Sequence, residues 1–270
     1  MFEAKAAGFL YCTSPLHMGS GTELGPIDNP VQRERHTGHP SGAGSGLKGA
    51  FRHEASARWQ DPDLVTVVFG PDTDSAHEHA GAVSFSDAQL VLFPVRSLRA
   101  SYVYATCPTA LARCRRLLSL AGVKEAQNWE IPEVSADGCV VLDREGLCQQ
   151  AGKGGLVLET FRFALAGGSK EEEALQTIAK WLAENALPTG NGELGTACAY
   201  FREKIAKHTV LLSDERFGHF VRHAMVVEPH VRIADETGTA DDGGLFYTEC
   251  VPPESLFVFL TMASQERRPR

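Results

Sequence analysis

No apolar run in this chain approaches the ~20 residues that a membrane-crossing helix requires. Its first residues, Met1-Phe2-Glu3-Ala4-Lys5, lack the long apolar stretch of a signal peptide. The expectation is a cytoplasmic protein without a membrane partner. The seven cysteines, at 12, 107, 114, 139, 148, 198 and 250, include no Cys-x-x-Cys pair. That spacing argues against a zinc ribbon or a thioredoxin-like site and predicts reduced, mostly buried thiols. His77 with His79, and His219 with His223, lack a third ligand or a His-Glu-x-x-His string, so no zinc is expected. Positive charge is also scarce, with 26 basic against 34 acidic residues and a net charge of −8. Bulk charge therefore cannot draw a polyanion to the surface, and any phosphate site must be a local basic groove. The acids cluster elsewhere, in Glu171-Glu172-Glu173, Asp235-Glu236 and Asp241-Asp242. There is no internal repeat and no low-complexity segment. Length (270 residues) and 43% hydrophobic content fit one large globular domain or two small ones.

What the chain does have is a segment from His17 to Gly49 crowded with glycines, cations, histidines and one aspartate, Asp28. A hydrophobic core does not need that composition. Glycine lets backbone approach a ligand, and successive N–H groups can cradle an anion. Arg33, Arg35 and Lys48 supply fixed charge for phosphate, although an ion pair with Glu34 or bonds to loop carbonyls suit Arg33 and Arg35 nearly as well. Asp28 among cations can act as a base or metal ligand, or simply form the turn before Asn29-Pro30. Gly44-x-Gly46-x-x-Gly49 matches a dinucleotide fingerprint, but His39–Ala43 is a poor preceding strand and no acidic residue ends a second one. A nucleoside-triphosphatase loop fails because Lys48 stands between Leu47 and Gly49.

Residues 4–14 read as a strand. Spacing of Leu47, Ala50, Phe51 and Ala55 predicts a helix that Ser45 can cap, placing Lys48 and open N–H groups at one N-terminus. Lys48 and Arg52, four apart, share a face. Two short strands are expected around Ser86-Asp87, then a strand at 102–106 and a helix at 108–121. Residues 122–155 read as an irregular, Gly-rich insertion. Beyond them come a strand at 156–165, a helix at 171–185, a Gly-laden turn at 188–196 and a strand at 208–212. A helix at 214–223 follows, then strands near 226–233, 245–251 and 256–261. Interleaved strands and helices without regular βαβ spacing predict an α+β fold on an antiparallel sheet.

Several longer strings occur in a fixed order. They begin with His17-x-Gly19-Ser20-Gly21, Leu24-Gly25-x-x-Asp28-x-Pro30, Gln32-Arg33-Glu34-Arg35-His36-Thr37-Gly38 and Leu47-Lys48-Gly49. Phe85-Ser86-Asp87-Ala88, Leu92-Phe93-Pro94-Val95-Arg96-Ser97-Leu98 and Thr106-Cys107-Pro108 follow. Gly244-Leu245-Phe246-Tyr247-x-Glu249 and Pro252-x-Glu254-x-Leu256-Phe257 end the series. Together they resemble the backbone subunit of type III-B (Cmr) CRISPR effector complexes, in the RAMP superfamily of RNA-binding proteins.

The resemblance implies one domain over 1–270, with a modified ferredoxin-like (RRM-like) core, the insertion, and a protruding β-hairpin thumb near 231–247 that includes Arg232 and Ile233. It implies a subunit that stacks with further copies of itself along guide crRNA, beside other type III effector subunits. Such a subunit cleaves complementary target RNA at regular spacing, as an endoribonuclease using ribose 2′-hydroxyl attack and Mg2+ or Mn2+. Asp28 would then be catalytic, as base or as metal ligand. His17 would serve as proton donor or ribose contact, with Tyr247 and Glu249 near the cleavage centre. Ser45, Lys48 and Arg52 would hold guide phosphates, helped by Arg33, Arg35 and Arg96. The family continues past Leu256-Phe257 through a helix and a closing Gly-rich motif that this sequence does not show. It also usually has apolar residues where Ser41-Gly42-Ala43 stand, which predicts a looser entry into the helix here. A non-catalytic RNA-binding scaffold, and a nucleotide-binding enzyme using Gly44–Gly49, are the alternatives.

Overall fold

In the computed structural model, which describes residues 2–22, 25–149 and 154–268, strand alternation feeds two cores. Strand β1 (Ala4–Tyr11) pairs along its length with the last strand, Leu256–Ala263. β2 (Ser41–Gly42) leads into α1 (Gly44–Arg58) and α2 (Pro62–Phe69). β3 (Val83–Phe85), β4 (Ala88–Arg96) and β5 (Tyr102–Thr106) precede α3 (Pro108–Leu120) and α4 (Lys124–Gln127). β6 (Gly138–Val141), α5 (Arg144–Leu147), β7 (Cys148–Gln149) and the hairpin β8 (Gly155–Leu158)–β9 (Phe161–Leu165) follow. Next come α6 (Ser169–Asn185), α7 (Glu193–Ala197), α8 (Ala199–His208), β10 (Thr209–Leu212) and α9 (Asp214–His223). β11 (Val226–Ile233), β12 (Ala240–Cys250) and β13 (Leu256–Ala263) close the chain.

One sheet runs β1-β13-β4-β5-β10-β6-β9-β8-β7, with β2 also on β4 and β3 also on β13. It is antiparallel except at β5–β10 and β6–β9. Because successive side chains point to opposite faces, Phe93, Val103, Ala105, Val141, Val210 and Phe257 enter one core with Phe217 and Phe220 of α9. Val91, Tyr104, Val140, Leu211 and Val258 enter the other, under α3 and α6. Central strands covered on both faces need unbroken apolar runs, which accounts for Leu90–Val95. The register between β13 and β4 shifts at Leu256/Phe257, which lets adjacent Val91 and Leu92 join the same core.

Several expectations need correction. The stretch 122–155 is not irregular: it contains β6, buried at the sheet centre between β10 and β9, while residues 150–153 lie outside the described residues. Four residues, the first of them Gly138, carry too little periodicity to be seen. The single strand expected at 156–165 is a hairpin whose turn uses Glu159 in a left-handed conformation, φ 50°, without a turn-forming residue type. The turn at 188–196 runs into α7, where Gly195 allows an approach that a Cβ would block at 2.4 Å from the Gly190 carbonyl. Ser45 does not cap α1: Ala43 holds that position, and Asp87 accepts from Gly44 N–H at 2.8 Å. Nor is the entry loose, since Ser41 and Gly42 are buried and paired with β4. A Cβ on Gly42 would meet Met18 Sδ at 2.8 Å, so small residues are required there.

His39 enters the core beside α9, 3% exposed, its ring edge-on to Phe217. Its Nδ1 has no hydrogen-bond partner. Burial pushes its pKa down to about 4, so the folded state holds it neutral. The sign follows: the stability this contributes is complete above the unfolded value near 6.5 and is lost as pH falls from there toward 4. The wild type should lose up to about 3 kcal/mol more than His39→Gln over that window, read by urea unfolding at several pH values. Parallel pH profiles for the two proteins would refute it.

Candidate nucleic-acid cleavage site

The hairpin β11–β12 stands apart from the main sheet. Its Val227, Val231, Ile233, Leu245, Phe246 and Tyr247 side chains are all exposed, so it has no core of its own. Its base is held by the glycine-rich segment. Leu16 and Val251 exchange backbone hydrogen bonds at 2.9 and 2.8 Å. Asn29 N–H donates to Tyr247 O at 3.0 Å, and Glu249 N–H donates to Asn29 O at 2.9 Å. Residues 28–31 therefore run beside 247–249 as an irregular extra strand, parallel at Asn29 and Thr248.

That pairing assembles four of the predicted residues. Tyr247 N–H donates to Asp28 Oδ2 at 2.8 Å, and no second bond or ion pair engages this carboxylate among the described residues. His17 Nδ1 lies 2.7 Å from the Glu249 carbonyl. Since a carbonyl only accepts, Nδ1 carries a proton, while Nε2 lies over Gly19, where a Cβ would sit 2.7 Å from it. Glu249, 5% exposed, takes Val31 N–H at 2.9 Å and Arg33 Nη2 at 2.6 Å. Arg33 Nη1 also donates to the Gly38 and Val221 carbonyls, at 2.9 and 2.8 Å. Arg33 thus joins the loop, the hairpin base and α9. Tyr247 and Glu249 share strand parity, yet Glu249 is buried at the base and Tyr247 is 36% exposed one step outward. Leu24 of the Asp28 motif lies outside the described residues.

The loop is braced a second time by Glu34, which accepts from Thr37 Oγ1 and Arg113 Nη1, both at 2.6 Å. Burial pushes the Glu34 pKa up, but these donors outweigh it and hold the carboxyl below its usual range. Arg35, between them in sequence, is exposed. A cleft of about 440 Å³, lined mainly by apolar groups including Leu16, Met18 and Leu47, separates His17 from the first turn of α1. Ser45 is exposed on that turn and Lys48 is half-buried. Arg52 donates to Pro71 O and to Asp72 at 3.0 and 2.7 Å. Arg96 is not part of this group. It ends β4, whose other end, Ala88, pairs with Gly42 before α1, and eight residues of strand span roughly 26 Å. Arg232 pairs with Asp241 at 2.8 Å on the outer hairpin, beside exposed Ile233.

Sequence reasoning missed Asp87, Arg113 and Arg267. Asp87 belongs to a string that carried the resemblance, but nothing local says its carboxylate reaches across to α1. Burial, with repulsion from Arg267 and Arg52, holds the Lys48 ammonium below its usual range. Among the described residues, no three His, Cys, Asp or Glu side chains converge as a metal cage. No helix there is long and apolar enough to cross a membrane.

Comparison with known proteins places the chain in a family. The RAMP superfamily model matches residues 9–269. The CRISPR system Cmr endoribonuclease Cmr4 of Pyrococcus furiosus is 35% identical over 260 residues, covering 94% of this chain and 80% of that protein. The crystal structure of oligomeric Cmr4 from Pyrococcus furiosus superposes with a TM-score of 0.69 at 29% identity, covering 97% of this chain and 83% of that one. A chain of the type III-B Cmr-beta complex bound to cognate target RNA shares the fold, with a TM-score of 0.70 at 19% identity, covering 98% and 86%. With a conserved architecture spanning nearly its whole length and this level of identity, the chain belongs to the RAMP superfamily, in the family of the Cmr4 subunits of CRISPR systems.

Proposed function

We propose that this chain is the RNA-cleaving backbone subunit of a CRISPR effector complex. Copies of it line guide RNA together with other effector subunits, and each copy cuts complementary target RNA through Asp28. The observation that carries this is the Asp28 carboxylate, anchored by one oxygen to Tyr247 N–H beneath an exposed hairpin, with its other oxygen open. The relative named an endoribonuclease supports the reading.

Cleavage by the neighbouring 2′-hydroxyl needs proton removal, in-line attack on phosphorus and departure of the 5′-oxygen. The open oxygen of Asp28 can take the 2′ proton, and anchoring by Tyr247 fixes its direction. His17 Nε2, as an acceptor, suits a ribose hydroxyl, and it donates a proton only when the ring is cationic. Glu249 and Arg33 are positioning residues, since their charges meet each other and the loop backbone. A divalent cation fits one open carboxylate plus RNA phosphate oxygens, the way Mg2+ is commonly held, and Asp28 would hold it. When bound, it supplies charge neutralisation at the phosphate.

The test is the chain assembled with guide RNA and partner subunits, given complementary or scrambled target RNA with Mg2+ or Mn2+. Regularly spaced cuts confined to the complementary target are expected. Assembly on guide RNA without cleavage would leave a scaffold. Nucleotide binding without RNA binding would favour the Gly44–Gly49 loop as an enzyme site.

A further inference from the structure

One aromatic on α1 has no role in the site above. Phe51 is 46% exposed, although its ring stacks on Phe85 at 5.1 Å and 24°. Phe259 completes the cluster, 6.0 Å from Phe51 and 6.1 Å from Phe85. The cluster is built into the sheet: Gly8 pairs with Phe259, and a Cβ there would lie 2.3 Å from that ring. A ring covered on one face by Phe85 and this exposed turns its other face to water.

Two cations lie beside it on α1, and a third, Arg267, sits near Lys48 with its guanidinium 5.8 Å over the Phe2 ring. Lys48 lies three residues before Phe51 and four before Arg52, so it neighbours both on the helix surface. Arg267, beyond β13, is close enough to repel Lys48 and donates to Ser264 Oγ at 2.8 Å. Among the described residues, neither Lys48 nor Arg267 meets a carboxylate, while Arg52 is paired with Asp72. In a chain with an excess of acids, unneutralised cations beside an exposed aromatic face are complementary to a single-stranded polyanion with flat bases.

We propose that the outer face of Phe51 stacks a nucleobase of bound single-stranded RNA, with Lys48 and Arg267 on the flanking phosphates. This rests on the reading of the chain as an RNA-binding subunit and adds a base contact to it. Stacking of this kind is tolerant of sequence, which suits a protein that must carry any guide.

The full chain would be titrated against fluorescein-labelled 20-nucleotide oligo-U and oligo-A by anisotropy. Phe51→Leu, which keeps apolar packing, should weaken binding about tenfold without changing its salt dependence, while Phe51→Tyr stays close to wild type. Lys48→Gln and Arg267→Gln should each lower the salt slope by about 0.7. Equal affinity of Phe51→Leu and wild type would overturn the stacking role while leaving the RNA-binding reading intact. No RNA binding by the wild type would overturn both. Loss of self-association in Phe51→Leu, with RNA affinity unchanged, would make this face a contact between copies instead.

Discussion

Asp28→Asn should lower target cleavage at least about a hundredfold while leaving guide-RNA affinity within about twofold. The substitution is informative because asparagine keeps an oxygen that can accept the Tyr247 N–H at its present 2.8 Å. The anchor between loop and hairpin base survives, and only the charge and basicity are removed. Asp28→Ala takes away the anchor as well, so any extra loss in alanine over asparagine measures positioning. Loss in Asp28→Asn that higher Mn2+ restores would identify a cation-holding role. Loss that no metal concentration restores would identify proton removal. Undiminished cleavage by Asp28→Asn would move the chemistry elsewhere.

Arg33→Met should destabilise the fold by about 3 kcal/mol and depress cleavage with it. The reason is the partner left behind. Glu249 is 5% exposed, and without Arg33 its carboxylate keeps only the Val31 N–H. Two carbonyls, Gly38 and Val221, lose a donor in the same step. Arg33→Lys should not rescue, because one ammonium cannot reach three acceptors in the fork geometry of a guanidinium. Glu249→Gln should be milder, since an amide oxygen can still accept from Val31 N–H. Urea unfolding, together with the cleavage assay, reads all three. A change under about 0.5 kcal/mol for Arg33→Met would mean that the pair is a surface contact and not a strut.

These two variants also mark where reading the chain residue by residue stops. Asp28, His17, Tyr247 and Glu249 stood out as members of ordered strings, and the structure brings them to one hairpin base. Arg33 and Arg35 sat two apart in the same string with phosphate and structural roles both open. In the fold, Arg33 is tied to three elements and Arg35 points to solvent. Arg96, quoted from an equally distinctive string, stands at the far end of β4.

Local pattern was enough for whatever depends on near neighbours in the chain: the helices at α1, α3, α6 and α9, the apolar strand runs, the α+β class and the ordered strings that point to the RAMP superfamily. Helical spacing and strand alternation are periodic, so a dozen residues reveal them. Tertiary pairing settled the rest. It placed β6 in the sheet centre, made Asp87 the partner of α1 across 43 residues, and used a buried carboxylate 216 residues from Arg33 to brace the site. Those contacts depend on which distant groups a packed sheet brings within hydrogen-bond distance. A charge in the sequence does not say whether it will meet a phosphate or a buried carboxylate, because that choice is made by desolvation in the folded chain.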